Sequence, residues 1–209
     1  MDRWGDHSLV CSCNGDRTIR HNAVRDVVFQ AALEAGVRPQ REKSGLLPGR
    51  PAEDGLAPSA SNRRPADIWL PRSSLGGAEA LDFAVTSGLR ADRYRQVAVD
   101  AGVVFAEYED SKRAYKQTDL QCQQQGLRFT PMILEAHGGG WSTTFRRTVD
   151  WIATKAAASQ HEKHAAVSLR LAQRISCTLQ RENARAVVRR HADEADPGII
   201  SPWVDVVMA

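Results

Sequence analysis

Apolar positions first become periodic after His21. Val24, Val27, Val28, Ala31 and Ala32 recur at helical spacing and Gly36 closes the run, which predicts a helix over 21–35. A weak strand follows over 37–42. Residues 44–64 carry Gly45, Pro48, Gly49, Pro51, Gly55 and Pro58 among serines, and predict a long loop over the core. Two short apolar segments, Asp67–Leu70 and Ala80–Thr86, flank a turn-rich link containing Pro71, Gly76 and Gly77 and predict a hairpin. Helical sequence then runs from about Arg90 to Gln125 with a break near Gly102, and Gly126 stops it. A buried strand, Phe129–Glu135, leads into Gly138, Gly139 and Gly140.

Two further helices are predicted, Ser142–Ala158 with Ser142 as N-cap and His161–His191, with Pro197 ending the series and an irregular tail. The order of elements predicts an α/β fold with a mixed central sheet flanked by helices. Four regions follow: a polar, turn-rich segment 1–20, a core over 21–141, a helical extension over 142–193 and the tail 194–209. No internal repeat is visible.

Charge adds a direction. Lys and Arg total 28 against 25 Asp and Glu, a net charge of +3, which is compatible with nucleic acid without requiring it. The excess is local, since 170–190 holds Arg170, Arg174, Arg181, Arg185, Arg189 and Arg190 against Glu182. The first four form a stripe expected to lie opposite Leu169, Ile175 and Leu179, as a solvated face or a phosphate contact. No apolar run approaches the ~20 residues of a membrane-spanning helix, so a membrane role is excluded as an expectation. Four scattered cysteines and no signal-peptide pattern predict a reducing compartment, with Cys122 and Cys177 as small buried packing residues.

Asp67 and Asp82 have 14 residues between them, and each stands on a predicted strand beside a turn. A hairpin brings both carboxylates to one end of the sheet, where two close acids make a site for a hard divalent cation, Mg2+ or Mn2+. Such an ion activates water and polarises a phosphate, and a nearby lysine stabilises the charge that develops. Lys112 is the candidate, because Tyr108, Lys112, Tyr115 and Lys116 share one helical face, with Lys116 as its substitute. Glu135, at a strand end, is a further candidate ligand or water-orienting group. Spacing alone favours the plainer reading, in which each aspartate is a strand-end residue paired with one of Arg63, Arg64 or Arg72.

Taken together, RRPADIWLP, EALDFAVTSGL, AEYEDSKRAYKQ and FTPMILEAHGGGW resemble the restriction-enzyme-like endonuclease domain of site-specific non-LTR retrotransposons, a branch of the PD-(D/E)xK nucleases. The resemblance covers roughly Asp6 to Trp141. It implies a restriction-endonuclease-like fold, DNA nicking by phosphodiester hydrolysis, and Asp67, Asp82 and Lys112 as catalytic residues. Ala66 separates Pro65 from Asp67, and Ala84 stands where the superfamily often has its lysine, so activity would depend on Lys112. The resemblance also implies a target-DNA partner, a parent reverse-transcriptase polyprotein and an intracellular location, nuclear for a eukaryotic element.

His7, Cys11 and His21 form H-x3-C-x9-H, similar to the zinc knuckle that precedes this nuclease in those elements. Tetrahedral zinc needs four ligands, so either Cys13 supplies the fourth or it comes from upstream of Met1. The second is favoured because a single residue separates Cys11 from Cys13. Without zinc, His21 caps or packs at a helix start and His7 is solvated. Arg63, Arg64, Arg146 and Arg147 are the candidate contacts to the DNA backbone. A catalytically silent DNA-binding remnant is the alternative function, and a resolvase or repair nuclease of the same superfamily a third.

Overall fold

The computed structural model describes residue 9 and residues 15–48, 64–89, 94–137 and 140–194, with side chains through 190. Most of the predicted segments 1–20 and 44–64, two of the three glycines and the tail lie outside these residues.

Helix α1, Asp16–Glu34, starts five residues earlier than hydrophobic periodicity predicts. Its inward face continues the Val24, Val28, Ala32 stripe with Asp16 and Arg20, both 1% exposed, so the first turn is buried yet carries no apolar signal. The helix ends where Gly36, at φ 71°, lets Val37 N–H return to Ala32 O at 3.0 Å.

Four strands form a mixed sheet in the order β1 (Gln40–Arg41), β2 (Ile68–Leu70), β3 (Glu79–Thr86) and β4 (Arg128–Glu135). β1, β2 and β3 pair antiparallel, so the expected hairpin is present, and β4 runs parallel to β3. Parallel neighbours need a crossover. It is made by α2 (Tyr94–Val99), α3 (Val103–Ala114), a 3-10 turn (Tyr115–Gln117) and α4 (Thr118–Gln124), rather than by the nearly continuous helix expected. Asp100 Oδ1 takes the Gly102 N–H at 2.7 Å at the first break, and Lys116 and Gln117 adopt φ of 49° and 55° at the second.

Each face of the sheet has its own core. Leu81 and Phe83 of β3, with Ile68, Leu70, Met132 and Leu134, pack beneath α1, α5 (Thr143–Gln160) and α6 (His164–Glu194). Ala80 and Phe129 face a smaller cluster with Leu47, Ala66, Leu127 and Cys122. β4 is buried from Phe129 to Leu134 without alternation, as a strand covered on both faces must be. α5 is capped as expected, Ser142 Oγ accepting the Phe145 N–H at 3.3 Å. The apolar face of α6 is Val167, Leu171, Ile175 and Leu179, whereas Leu169 is 60% exposed and Cys177 is exposed, against the sequence expectation for both.

The outward carbonyls of β4 are occupied. Phe129 O accepts Arg113 Nη1 at 3.2 Å, Pro131 O accepts Thr144 Oγ1 at 2.9 Å and Ile133 O accepts Ser142 N–H at 3.0 Å. Glu135 N–H reaches Gly140 O at 2.9 Å.

Candidate active site

The end of the β2–β3 ladder sets the acidic pair. Ile68 pairs with Leu81, so Asp67 and Asp82 occupy the next rung, where opposite Cβ atoms in a regular ladder stand roughly 5 Å apart. Asp67 leaves the strand there. Its N–H still donates to Leu81 O at 2.9 Å, and its Oδ2 accepts the Phe83 N–H at 2.7 Å, taking the part of a strand carbonyl. The same oxygen lies 3.1 Å from His21 Nε2 of α1. Asp82, on β3, meets Lys112 from the last turn of α3, with Nζ 2.8 Å from Oδ2. Lys112 Nζ also donates to Phe83 O at 3.4 Å.

The two carboxylates are equally enclosed, their side chains 19% and 20% exposed, yet they differ in proton affinity. For Asp82, burial dominates and Asp67's charge adds to it; together they outweigh Lys112 and hold the carboxyl above its ordinary range. For Asp67, burial is overcome by the His21 hydrogen bond and charge, the Phe83 N–H and Lys112, so its carboxyl sits below that range. Burial likewise works against the His21 imidazolium, but Asp67 and Asn22 prevail and raise its pKa. Acids pushed in opposite directions occur both at sites built for chemistry and in structural ion-pair networks.

A cleft of about 300 Å3 opens on Asp67 and Lys112, lined also by Arg17, His21 and Arg25 of α1 and by Glu42; Asp82 lies behind Lys112 and is not part of its lining. Arg17, His21 and Arg25 repeat every four residues. That cationic stripe is written in the sequence, but it reads as a solvated helix face until the strands that it borders are in place.

Other candidate residues lie elsewhere. Lys116 leaves the Lys112 face because the helix ends at Ala114, and its Nζ rests 5.3 Å from the Tyr115 ring centroid, with Tyr115 63% exposed. Glu135 is paired with Thr86, four rungs beyond the Asp82–Pro131 pair or ~13 Å along the strand, and holds His137 N–H at 2.8 Å. Arg64 binds Glu42 at 2.6 Å on the cleft rim. Arg146 and Arg147 line a separate groove of about 630 Å3 beside Trp141, Asp150 and Ser168. The stripe on α6 is already paired: Arg170 with Glu162, Arg174 with Glu34, and Arg181 and Arg185 with Glu182.

His21 lies inside α1, with Nδ1 at 3.1 Å from Asn22 and Nε2 on Asp67. The other zinc-ligand candidates, His7, Cys11 and Cys13, lie outside the described residues, as does Arg63. No family model and no curated protein matches this chain.

Among the described residues no three His, Cys, Asp or Glu side chains form a ready metal cage. Two carboxylates nevertheless fit Mg2+, which keeps several waters and takes one or two carboxylates plus substrate phosphate. The protein contacts of both aspartates fall on Oδ2, so among the described residues each Oδ1 is left for such an ion.

Proposed function

We propose that this chain is a divalent-cation-dependent DNA endonuclease domain, restriction-endonuclease-like in fold and of the kind found in non-LTR retrotransposons. The observation that carries the reading is the meeting of Asp67, Asp82 and Lys112 at one point, although 45 positions separate the first from the last. The antiparallel β2–β3 pair, the parallel β4 and the preceding α1 are what such a nuclease core would use to bring them together.

Asp67 and Asp82 would hold the cation, which supplies Lewis-acid polarisation of the scissile phosphate and a more acidic water. His21 and the Phe83 N–H fix the Asp67 carboxylate, so its free oxygen has one direction. Lys112, held by Asp82 and Phe83 O, places a fixed positive charge where a pentacovalent phosphate would gain negative charge. The partner is target DNA, and the natural setting a larger reverse-transcriptase polyprotein. For the N-terminal segment zinc would use His7 and Cys11 with a fourth ligand from upstream or from Cys13; His21, the remaining candidate, is engaged with Asp67 and Asn22 in this structure.

A supercoiled-plasmid nicking assay with Mg2+ tests this. The intact chain is expected to nick and Asp82→Ala to lose at least a hundredfold; equal cleavage by both refutes the site. One observation favours the silent binder instead: His21 and Lys112 already neutralise both carboxylates. DNA binding without nicking by the intact chain, in Mg2+ and in Mn2+, would select that reading.

A further inference from the structure

We infer that the cavity beside the acidic pair, floored by Arg20 and edged by Arg17 and Tyr108, seats a second phosphodiester of the bound DNA strand. This rests on the nuclease reading for the identity of the strand and deepens it by naming a subsite. The cavity measures about 270 Å3 and shares Arg17, Val85 and Tyr108 with the cleft that holds Asp67 and Lys112. β3 runs from Phe83 in the first to Val85, Thr86 and then Ser87 in the second, ~13 Å in all. At a rise of ~3.4 Å per nucleotide along one strand, that span covers more than one phosphate.

The charged side chains that line the cavity are all cationic. No Asp or Glu lines it among the described residues. Arg20 is 1% exposed; its Nη1 donates to Asn183 Oδ1 at 2.9 Å and its Nη2 to Leu9 O, while its Nε has no hydrogen-bond partner among the described residues. A buried cationic donor left unpaired is costly, and an anionic oxygen is the acceptor that relieves it best. Arg17 Nη2 donates to Tyr108 Oη at 3.2 Å, and Ser87 Oγ accepts the Leu89 N–H at 3.2 Å, so both hydroxyl protons are available to a ligand.

The surrounding charge agrees. Arg20 feels Arg17 and Arg190 as well as Asp16, and that carboxylate is already held by Arg189 and Arg190. Arg190 Nη1 is likewise buried without a partner among the described residues. Burial lowers the Arg20 pKa; Asp16 opposes it, and Arg190 and Arg17 add to the lowering.

The test measures binding of the whole chain, in EDTA, to a labelled 20-base-pair duplex and to a 12-nucleotide single strand across a salt series. Arg17→Gln changes an exposed residue and is expected to keep the wild-type melting temperature. It should weaken binding roughly tenfold at low salt. It should also flatten the log K against log salt slope by about 0.9 on duplex or 0.7 on single strand, the signature of one lost phosphate contact. Tyr108→Phe should weaken binding without changing the slope, and Arg170→Gln, whose arginine is held by Glu162, should change neither. An Arg17→Gln slope and affinity equal to wild type overturn the subsite. So does a wild-type melting temperature raised by inorganic phosphate with Arg17→Gln still binding DNA normally, since the cavity would then serve small anions. Plasmid nicking in Mg2+ is read in parallel: nicking by wild type with an unaltered Arg17→Gln slope sinks only the subsite. No nicking with a flattened slope sinks the nuclease and keeps the phosphate seat.

Discussion

Replacing Asp16 with Asn asks how firmly the two ends of the described chain are locked together. Asp16 sits in the first turn of α1, 1% exposed, and its two oxygens accept Arg189 Nε at 2.7 Å and Arg190 Nε and Nη2 at 3.2 and 3.1 Å from the last turns of α6. Asparagine keeps the shape and removes the charge. Arg190, with its side chain 9% exposed, and Arg20, at 1%, then stay inside without a carboxylate, because Glu182 is committed to Arg181 and Arg185. Removing one partner of a buried pair costs about 3–5 kcal/mol. For a domain of this size each kcal/mol moves the midpoint by about 2–4 °C, so thermal unfolding should fall by roughly 6–20 °C. Circular dichroism melts check this. The comparison is Glu162→Gln, which breaks the bidentate Arg170 pair at 2.6 and 2.8 Å on the open surface. A shift for Asp16→Asn below about 2 °C, or no larger than that for Glu162→Gln, would refute the claim that burial makes the Asp16 network matter.

The pH response of the His21–Asp67 pair has a definite sign. The raised His21 pKa contributes stability in full below the free imidazole value of ~6.5 and loses it as pH rises through the folded value; the lowered Asp67 pKa contributes above ~3.9 and loses it as pH falls. In EDTA, the gap in urea midpoint between wild type and His21→Gln should therefore be widest near pH 5–6 and narrow by pH 8–9; a gap that widens upward contradicts the pairing. For activity, Lys112→Met should reduce single-turnover nicking by about 10²–10³, the usual loss for one transition-state donor, whereas Lys116→Met should leave it within twofold. Similar losses from both would mean that the 3-10 turn does not divert Lys116 from the site.

Period and punctuation made much of this fold readable. The hairpin and the Ser142 cap follow from spacing and turn residues, since strand parity and helix phase are local properties; the meeting of Lys112 with Asp82 was implied by the four-block resemblance, because spacing alone left each aspartate free to pair with an arginine. What escaped were features carried by charge or by backbone exceptions. α1 begins at Asp16 rather than near His21, because a buried Asp–Arg step reads as surface until its partners on α6 are known. The crossover helices break at Lys116 and Gln117, whose left-handed backbone is imposed by the return to β4 and not announced by glycine. His21, expected as a zinc ligand or a cap, meets a carboxylate 46 residues away, a contact that no local pattern encodes.

The filled outer rim of β4 limits how copies of this protein can meet. A strand at the border of a sheet ordinarily invites a second chain to pair with it, in domain swapping or fibre growth. Here an arginine, a threonine hydroxyl and the backbone of the following turn have taken the carbonyls of alternate residues, and Pro131 has no N–H to offer. Self-association by sheet extension across β4 is closed, so among the described strands only the two-residue, exposed β1 border is left for another chain to extend.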